Sequence, residues 1–287
     1  MNKLPPEDRF FDVNDLWYFW NVWVVRILYR APVTANQITG LTLVLGLASA
    51  ACFLWDDPNA LLWAGALLYG KIFFDNVDGN LARARKEETR LGRFFDSLTD
   101  FLSSVLVYLA AAWRLYDSTG QWEWLALGAF ALVSCLLQCS YFVFYLVQYT
   151  SISGSYRKNR VDESVTKADI RAVEAGASPF ILFLQRMHVF FYGWQDKSIL
   201  WLDRVVRSRV GAQEGDPDWY QDKRFMTLVS PLCVCTCNMV LVVFALADRL
   251  DLLFLVYAPL SIVYWFGLIV WQCRRYTTQR IARTECP

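Results

Sequence analysis

Four aspartates are where this chain could do chemistry. Asp75, Asp78, Asp96 and Asp100 fall in FFDNVDGNLARARKEETRLGRFFDSLTD, residues 73–100, which opens at the end of one apolar run and closes into another. Hydrocarbon disfavours ionised side chains, so carboxylates kept at such a place mark function rather than simple solvation. On an ideal helix Asp75, Asp78 and Ala82 share an arc of about 60°, and Asp96 and Asp100 differ by about 40°. The intervening RARKEETRLGR is polar enough to turn in water, so the two helices return antiparallel and bring their acidic faces together. Four like charges repel one another unless a cation joins them. The stretch supplies oxygen ligands and neither His nor Cys, which favours Mg²⁺ or Mn²⁺ over Zn²⁺. Two ions bridged by shared aspartates, about 3.5 to 4 Å apart, suit phosphoryl transfer. Gly79 lets a ligand approach the helix backbone, Gly92 permits tight packing, and Arg83 can aim its guanidinium at a diphosphate. The competing structural reading pairs the acids with Arg83, Arg85, Lys86, Arg90 and Arg93 as ordinary helix-end charges.

The elements that must hold these residues are membrane helices. Of 287 residues, 56% are hydrophobic and 16% aromatic, a membrane composition. The net charge near +1 gives no reason to expect nucleic acid. Stretches free of Asp, Glu, Lys and Arg cover 38–55, 124–156, 225–247 and 252–273, each long enough to cross roughly 30 Å of hydrocarbon. Two further spans, 59–84 and 92–116, carry the acidic segment at their facing ends, giving an all-α bundle of six transmembrane helices. The beginning, MNKLPPEDRF, lacks the pattern of a cleaved signal peptide.

Basic residues set an expected orientation. Of 28 Lys and Arg, four precede the first span, five lie at 83–93, twelve at 157–224 and four after Cys273, whereas only Arg114 and Arg249 lie in the opposite connections. The positive-inside rule then puts both termini and the acidic segment in the cytoplasm. Residues 1–34 form a cytoplasmic, interfacial unit whose helix, about 12–32, places Leu16, Trp20, Trp23 and Ile27 on an apolar face. Pro32 ends it, and Thr34 or Asn36 caps the first membrane helix. Residues 35–150 hold four spans and the acidic motif. A partly helical cytoplasmic insertion, 151–224, separates them from the last two spans and basic tail, 225–287, and its aromatic and basic middle suits an anionic leaflet. Pro231 and Pro259 interrupt those last spans, where neighbouring helices repair the backbone bonding. The eight cysteines read as small apolar fillers, with a thiolate metal site the weaker alternative. The one histidine, His188, reads as packing rather than catalytic.

The pattern Asp75-x-x-Asp78-Gly79-x-x-Ala82-Arg83, then eight residues, Gly92, three residues, Asp96, three residues and Asp100 resembles the signature of the CDP-alcohol phosphotransferase family of integral membrane enzymes. All eight fixed positions match. TANQIT, residues 34–39, is similar to the family's lead into its first span, with Ala35 where proline is common. The resemblance implies a two-ion Mg²⁺ or Mn²⁺ site in which Asp75 and Asp96 bridge both ions, Asp78 completes one and Asp100 contacts the other. It also implies that Asp100 is the general base. The nucleotide would lie against Gly79, with Arg83 and Thr89 near the diphosphate and Asn36, Gln37, Ile38 and Thr39 near the cytidine. The reaction implied is attack of an alcohol on a CDP-linked lipid donor, usually CDP-diacylglycerol, with CMP leaving. The insertion has no counterpart in the smallest family members.

The acceptor is not specified by this signature. No Lys or Arg occurs between Leu115 and Tyr156, which tilts the reading toward an uncharged or cationic alcohol, although Arg157, Lys158 and Arg160 follow directly and could meet a phosphate. Lys71, one turn before Asp75, either pairs with the site or snorkels toward water. Apolar faces leave room for a homodimer. Rival readings are a membrane prenyltransferase, whose usual aspartate one turn after the second is here Ala82, and a divalent-cation transporter, whose ligands belong nearer the bilayer midplane. A catalytically dead scaffold would have no reason to keep every signature position.

Overall fold

The computed structural model describes residues 4, 6–18, 20–153, 163–176 and 178–285, which contain helices and no strand. Arg157, Lys158 and Arg160 lie outside the described residues.

The N-terminal helix expected over 12–32 is two short pieces, a 3₁₀ turn at Val13–Tyr18 and α1, Asn21–Leu28. Local anchoring explains the break. Asn14 donates to the Ser230 carbonyl at 3.0 Å and accepts from Thr236 at 2.8 Å, whereas Asn21 bonds Asn76. Val25 is buried on α1, and Trp20, Trp23 and Ile27 stay 56%, 61% and 73% exposed, the apolar face expected of a bilayer-facing segment.

Thr34 opens α2, Ala35–Phe53, through a capping box with Gln37, so Thr34 rather than Asn36 caps the helix. α3, Ala60–Arg85, ends on Lys86 in the left-handed conformation. Thr89 then caps α4, Arg90–Thr119, by accepting from the Gly92 amide at 3.0 Å. The expected polar reversal is thus four residues long. α3 and α4 do not pack along each other, because α2 fills the wedge between them and touches both. A Cβ on Gly46 of α2 would sit 2.4 Å from Ser103 Oγ of α4, so only glycine permits this approach. α5, Glu123–Ser153, packs on α4 through Gly128, where a Cβ would fall 2.3 Å from that of Ala112.

After α5 come α6, Lys167–Glu174, and the long α7, Phe180–Val210. α7 crosses α4 and α5: Phe191 stacks on Phe101 at 4.6 Å, Gln195 accepts from Ser140 at 2.9 Å, and Asp203 accepts from Tyr145 at 3.0 Å. Its outward stripe exposes Phe183, Phe190, Trp194 and Trp201 beside Arg186, Lys197 and Arg204. α8, Pro217–Tyr220, and α9, Lys223–Val229, lead to α10, Val234–Leu246, which packs on α3. α9 and α10 meet at a 46° bend around Ser230–Leu232, which contains Pro231. A single turn, α11 at Leu250–Leu252, passes through a π-helical turn at Leu253–Tyr257 into α12, Ala258–Glu285. Pro259 is the second residue of α12, so the wider π turn precedes the position that cannot donate.

By length and composition, α2, α4, α5 and the α11–α12 helix can each cross a membrane, and the bent α9–α10 pair, taken as one broken span, would bring the candidates to five. The protein is an integral membrane protein. α3 falls short of this apolar measure because its second half carries Lys71, Asp75, Asp78, Arg83 and Arg85. Seven cysteines are free among the described residues.

Candidate active site

α2 brings the two acidic helix faces together without being acidic itself. Lodged in the wedge, it holds the C-terminal half of α3 facing the first turns of α4. One carboxylate oxygen from each of Asp75, Asp96 and Asp100 lies within 4.8 Å of the others. Asp78 stands one turn along α3, 5% exposed, and accepts a 2.6 Å hydrogen bond from Thr39 of α2. All four line one cavity of about 1840 Å³, together with Asn36, Thr39, Gly79, Arg83 and Thr89.

Gln37 and Ile38 are placed elsewhere. The Gln37 side chain accepts from the Thr34 amide at 2.9 Å in the capping box, and Ile38, 4% exposed, packs among Val25, Val77 and Leu81. Helical period explains the split, since four consecutive residues cannot share one face. Arg83 folds back over Gly79, with Nη1 3.4 Å from where a Cβ would stand, and donates to Asn80 at 2.8 Å. Gly92 gives the tight packing expected of it, because a Cβ there would meet Asn36 Oδ1 at 3.1 Å.

Three of the neighbouring basic residues, Arg85, Arg90 and Arg93, have partners other than the four aspartates. Arg85 donates to the carbonyls of Leu28, Ala31 and Val33. Arg90 reaches Asp169 at 2.6 Å, and Arg93 reaches Glu163 at 2.6 Å. These pairs fasten the insertion to the rim of the cavity. Lys71 instead turns toward the cluster and contacts Asp75 at 3.2 Å and Asp100.

Two contributions of α7 escaped the sequence reading. Tyr192 donates to the Ser97 carbonyl at 2.8 Å, beside Asp96, and lines the cavity with His188 and Asp196. The only trace in sequence was a lone histidine among aromatics. His188 is the packing residue expected, stacked on Tyr192 at 4.7 Å and against Phe94 at 5.3 Å. Burial pushes its pKa down to about 4, Arg93 acts in the same direction and Glu163 opposes them. A proton therefore binds the unfolded chain from about pH 6.5 downward and the folded chain only near 4, so this residue removes stability as pH falls between those values. Thermal unfolding in detergent should show His188→Phe losing less stability than wild type from pH 7 to 5, with a slope smaller by up to about one proton. Parallel slopes would contradict the assignment.

A helical membrane bundle with clustered carboxylates, a glycine and an arginine on one cavity is the arrangement to be placed among known membrane enzymes. The family model for CDP-alcohol phosphatidyltransferase matches residues 32–205. The chain belongs to this family, whose members are metal-dependent membrane enzymes. It is 28% identical over 190 residues to a phosphatidylinositol phosphate synthase of Mycobacteroides abscessus, covering 65% of this chain and 77% of that protein. A protein of the same description from Cutibacterium acnes is 32% identical over 112 residues, 38% of this chain and 52% of that one. A bifunctional IPC transferase and DIPP synthase of Aquifex aeolicus is 34% identical over 107 residues, 35% of this chain and 23% of that one. The chain thus spans about half or less of the length of the last two relatives. The matched segment holds every residue of the acidic signature, together with α6 and most of α7.

Proposed function

We propose that this protein transfers a phosphatidyl-type group from a CDP-linked lipid, CDP-diacylglycerol, to the hydroxyl of an alcohol and releases CMP in phospholipid synthesis. The observation that carries the reading is the approach of Asp75, Asp96 and Asp100 to within 4.8 Å on the cavity that Gly79 and Arg83 also line. All-oxygen donors at this separation fit Mg²⁺ or Mn²⁺. Asp75, Asp78, Asp96 and Asp100 would hold the ions. When bound, the ions supply neutralisation of the diphosphate charge.

The protein's own groups do the rest. Arg83, lying over Gly79, takes the diphosphate in its guanidinium fork, while Asn36 and Thr39 border the nucleotide and Thr89 fixes the start of α4. Asp100 accepts the proton of the attacking hydroxyl, a role that typically contributes about 10² to 10⁴ in rate. The oxygen–phosphorus bond to the acceptor forms as the bond to CMP breaks, and a phosphodiester results. The acyl chains stay in the bilayer. α3, with 26 residues and roughly 39 Å of helix, serves as the sixth span. The bias of Lys and Arg puts the termini and the site on the cytoplasmic side. The outward stripe of α7 then lies at the headgroup level. α12, in a span only 28% buried, offers the face for a homodimer.

The test is CMP release by the protein in liposomes containing CDP-diacylglycerol and Mg²⁺ or Mn²⁺. The acceptor panel comprises inositol, inositol phosphate, glycerol 3-phosphate, serine, ethanolamine and choline. Release driven by one acceptor establishes the reaction and names the headgroup. Silence across the panel from folded protein, combined with Mn²⁺ uptake into the vesicles, would replace the transferase by a transporter. In the same assay Arg83→Lys should lower kcat/KM for the donor about 10- to 100-fold, because an ammonium cannot make the forked contact. An unchanged donor response would remove Arg83 from that role.

A further inference from the structure

A lysine in a membrane helix ordinarily snorkels. Lys71 does not: it is 1% exposed, and its Cγ passes 3.7 Å from where a Cβ on Gly46 would stand. It lies one helical turn farther from the polar reversal than Asp75, on the bilayer side of the cluster. Its Nζ contacts Oδ1 of Asp75 at 3.2 Å and Oδ1 of Asp100. Asp75, Asp96 and Asp100 line the cavity, whereas Lys71 stands behind them. The ammonium thus joins the two acidic helices from outside the cavity lining. Its partners are as needed by it as it is by them, since breaking either side of such a pair leaves an uncompensated buried charge.

We propose that Lys71 is the built-in counter-cation of the carboxylate cluster, a positioning residue that holds Asp75 and Asp100 together before a metal arrives and limits how tightly a divalent cation binds. The physical reason is charge. Four carboxylates without a cation would repel across a poorly solvated gap, and the same four without a positive neighbour would hold a divalent ion tightly. A fixed ammonium behind the cluster eases the first problem and moderates the second. The proposal rests on the metal reading given above.

The experiment uses the full chain in detergent micelles. Mn²⁺ binding is followed by the electron paramagnetic resonance of the free ion, and thermal unfolding is recorded in EDTA and in Mn²⁺, for wild type, Asp96→Asn and Lys71→Met. A folded Lys71→Met protein should bind Mn²⁺ more tightly by about tenfold or more, since a positive neighbour has been removed from a divalent ion in a medium of reduced dielectric. A variant that unfolds in EDTA and is recovered by Mn²⁺ supports the proposal equally, because the metal then replaces the missing charge. Binding no tighter than wild type, or unfolding that Mn²⁺ does not correct, overturns it and leaves Lys71 a packing residue. The metal reading fails separately, on the other two proteins, if wild type does not bind Mn²⁺ or if Asp96→Asn binds it equally well.

Discussion

Asp96→Asn should lose CMP formation by about 10³-fold or more while the protein remains folded and membrane-inserted. The substitution preserves shape and leaves intact the hydrogen bond from Thr99 to the Asp96 carbonyl. What it removes is the charged oxygen that stands within 4.8 Å of those of Asp75 and Asp100. Charge stabilisation by ions at such a site is worth several kcal/mol in the transition state, which is about three orders of magnitude in rate. The measurement is initial CMP release in liposomes at saturating Mg²⁺, with thermal unfolding as the control for folding. Near-normal turnover in a folded variant would overturn the two-ion assignment.

The largest expected effect on stability lies away from the chemistry. Asp203 of α7 is 2% exposed and accepts four hydrogen bonds: from Tyr145 at 3.0 Å, Trp219 at 3.1 Å, Tyr220 at 2.8 Å and Arg207 at 2.6 Å. It ties α5, α7 and α8 into one unit. Asp203→Ala leaves the Arg207 guanidinium and three further donors without their acceptor, and truncating one member of a buried charge pair costs about 3 to 5 kcal/mol. Thermal unfolding in detergent should show this as a large fall in Tm. The fraction that stays folded at low temperature should release CMP at the wild-type rate, since Asp203 is not among the residues lining the cavity. A wild-type Tm would show that α7 is held in place without Asp203.

These two predictions separate what the sequence by itself determined from what only the tertiary structure decided. The acidic segment was legible because its information is local: helical period assigns Asp75 and Asp78 to one face and Asp96 and Asp100 to another, and oxygen-only donors indicate the class of ion. Membrane character was equally local, being a matter of apolar run length. Of the four consecutive residues Asn36 to Thr39, only the first and last line the cavity, because the same period turns Gln37 to its own helix end and Ile38 into the core. The N-terminal helix was overextended because its break is set by distant partners, Ser230 and Asn76. The direction Lys71 takes could not be read from its own helix, since snorkelling and pairing differ only in where Asp100 stands, 29 residues later. The crossing of α7 over α4, which places Tyr192 beside the site, and the gathering of four donors on Asp203 are long-range events of the same kind. Local sequence fixes which groups a segment offers and on which face, because helix geometry is short-range. Only packing decides which groups meet, because that depends on helices such as α2 that carry none of the site's acids and yet set the distance between them.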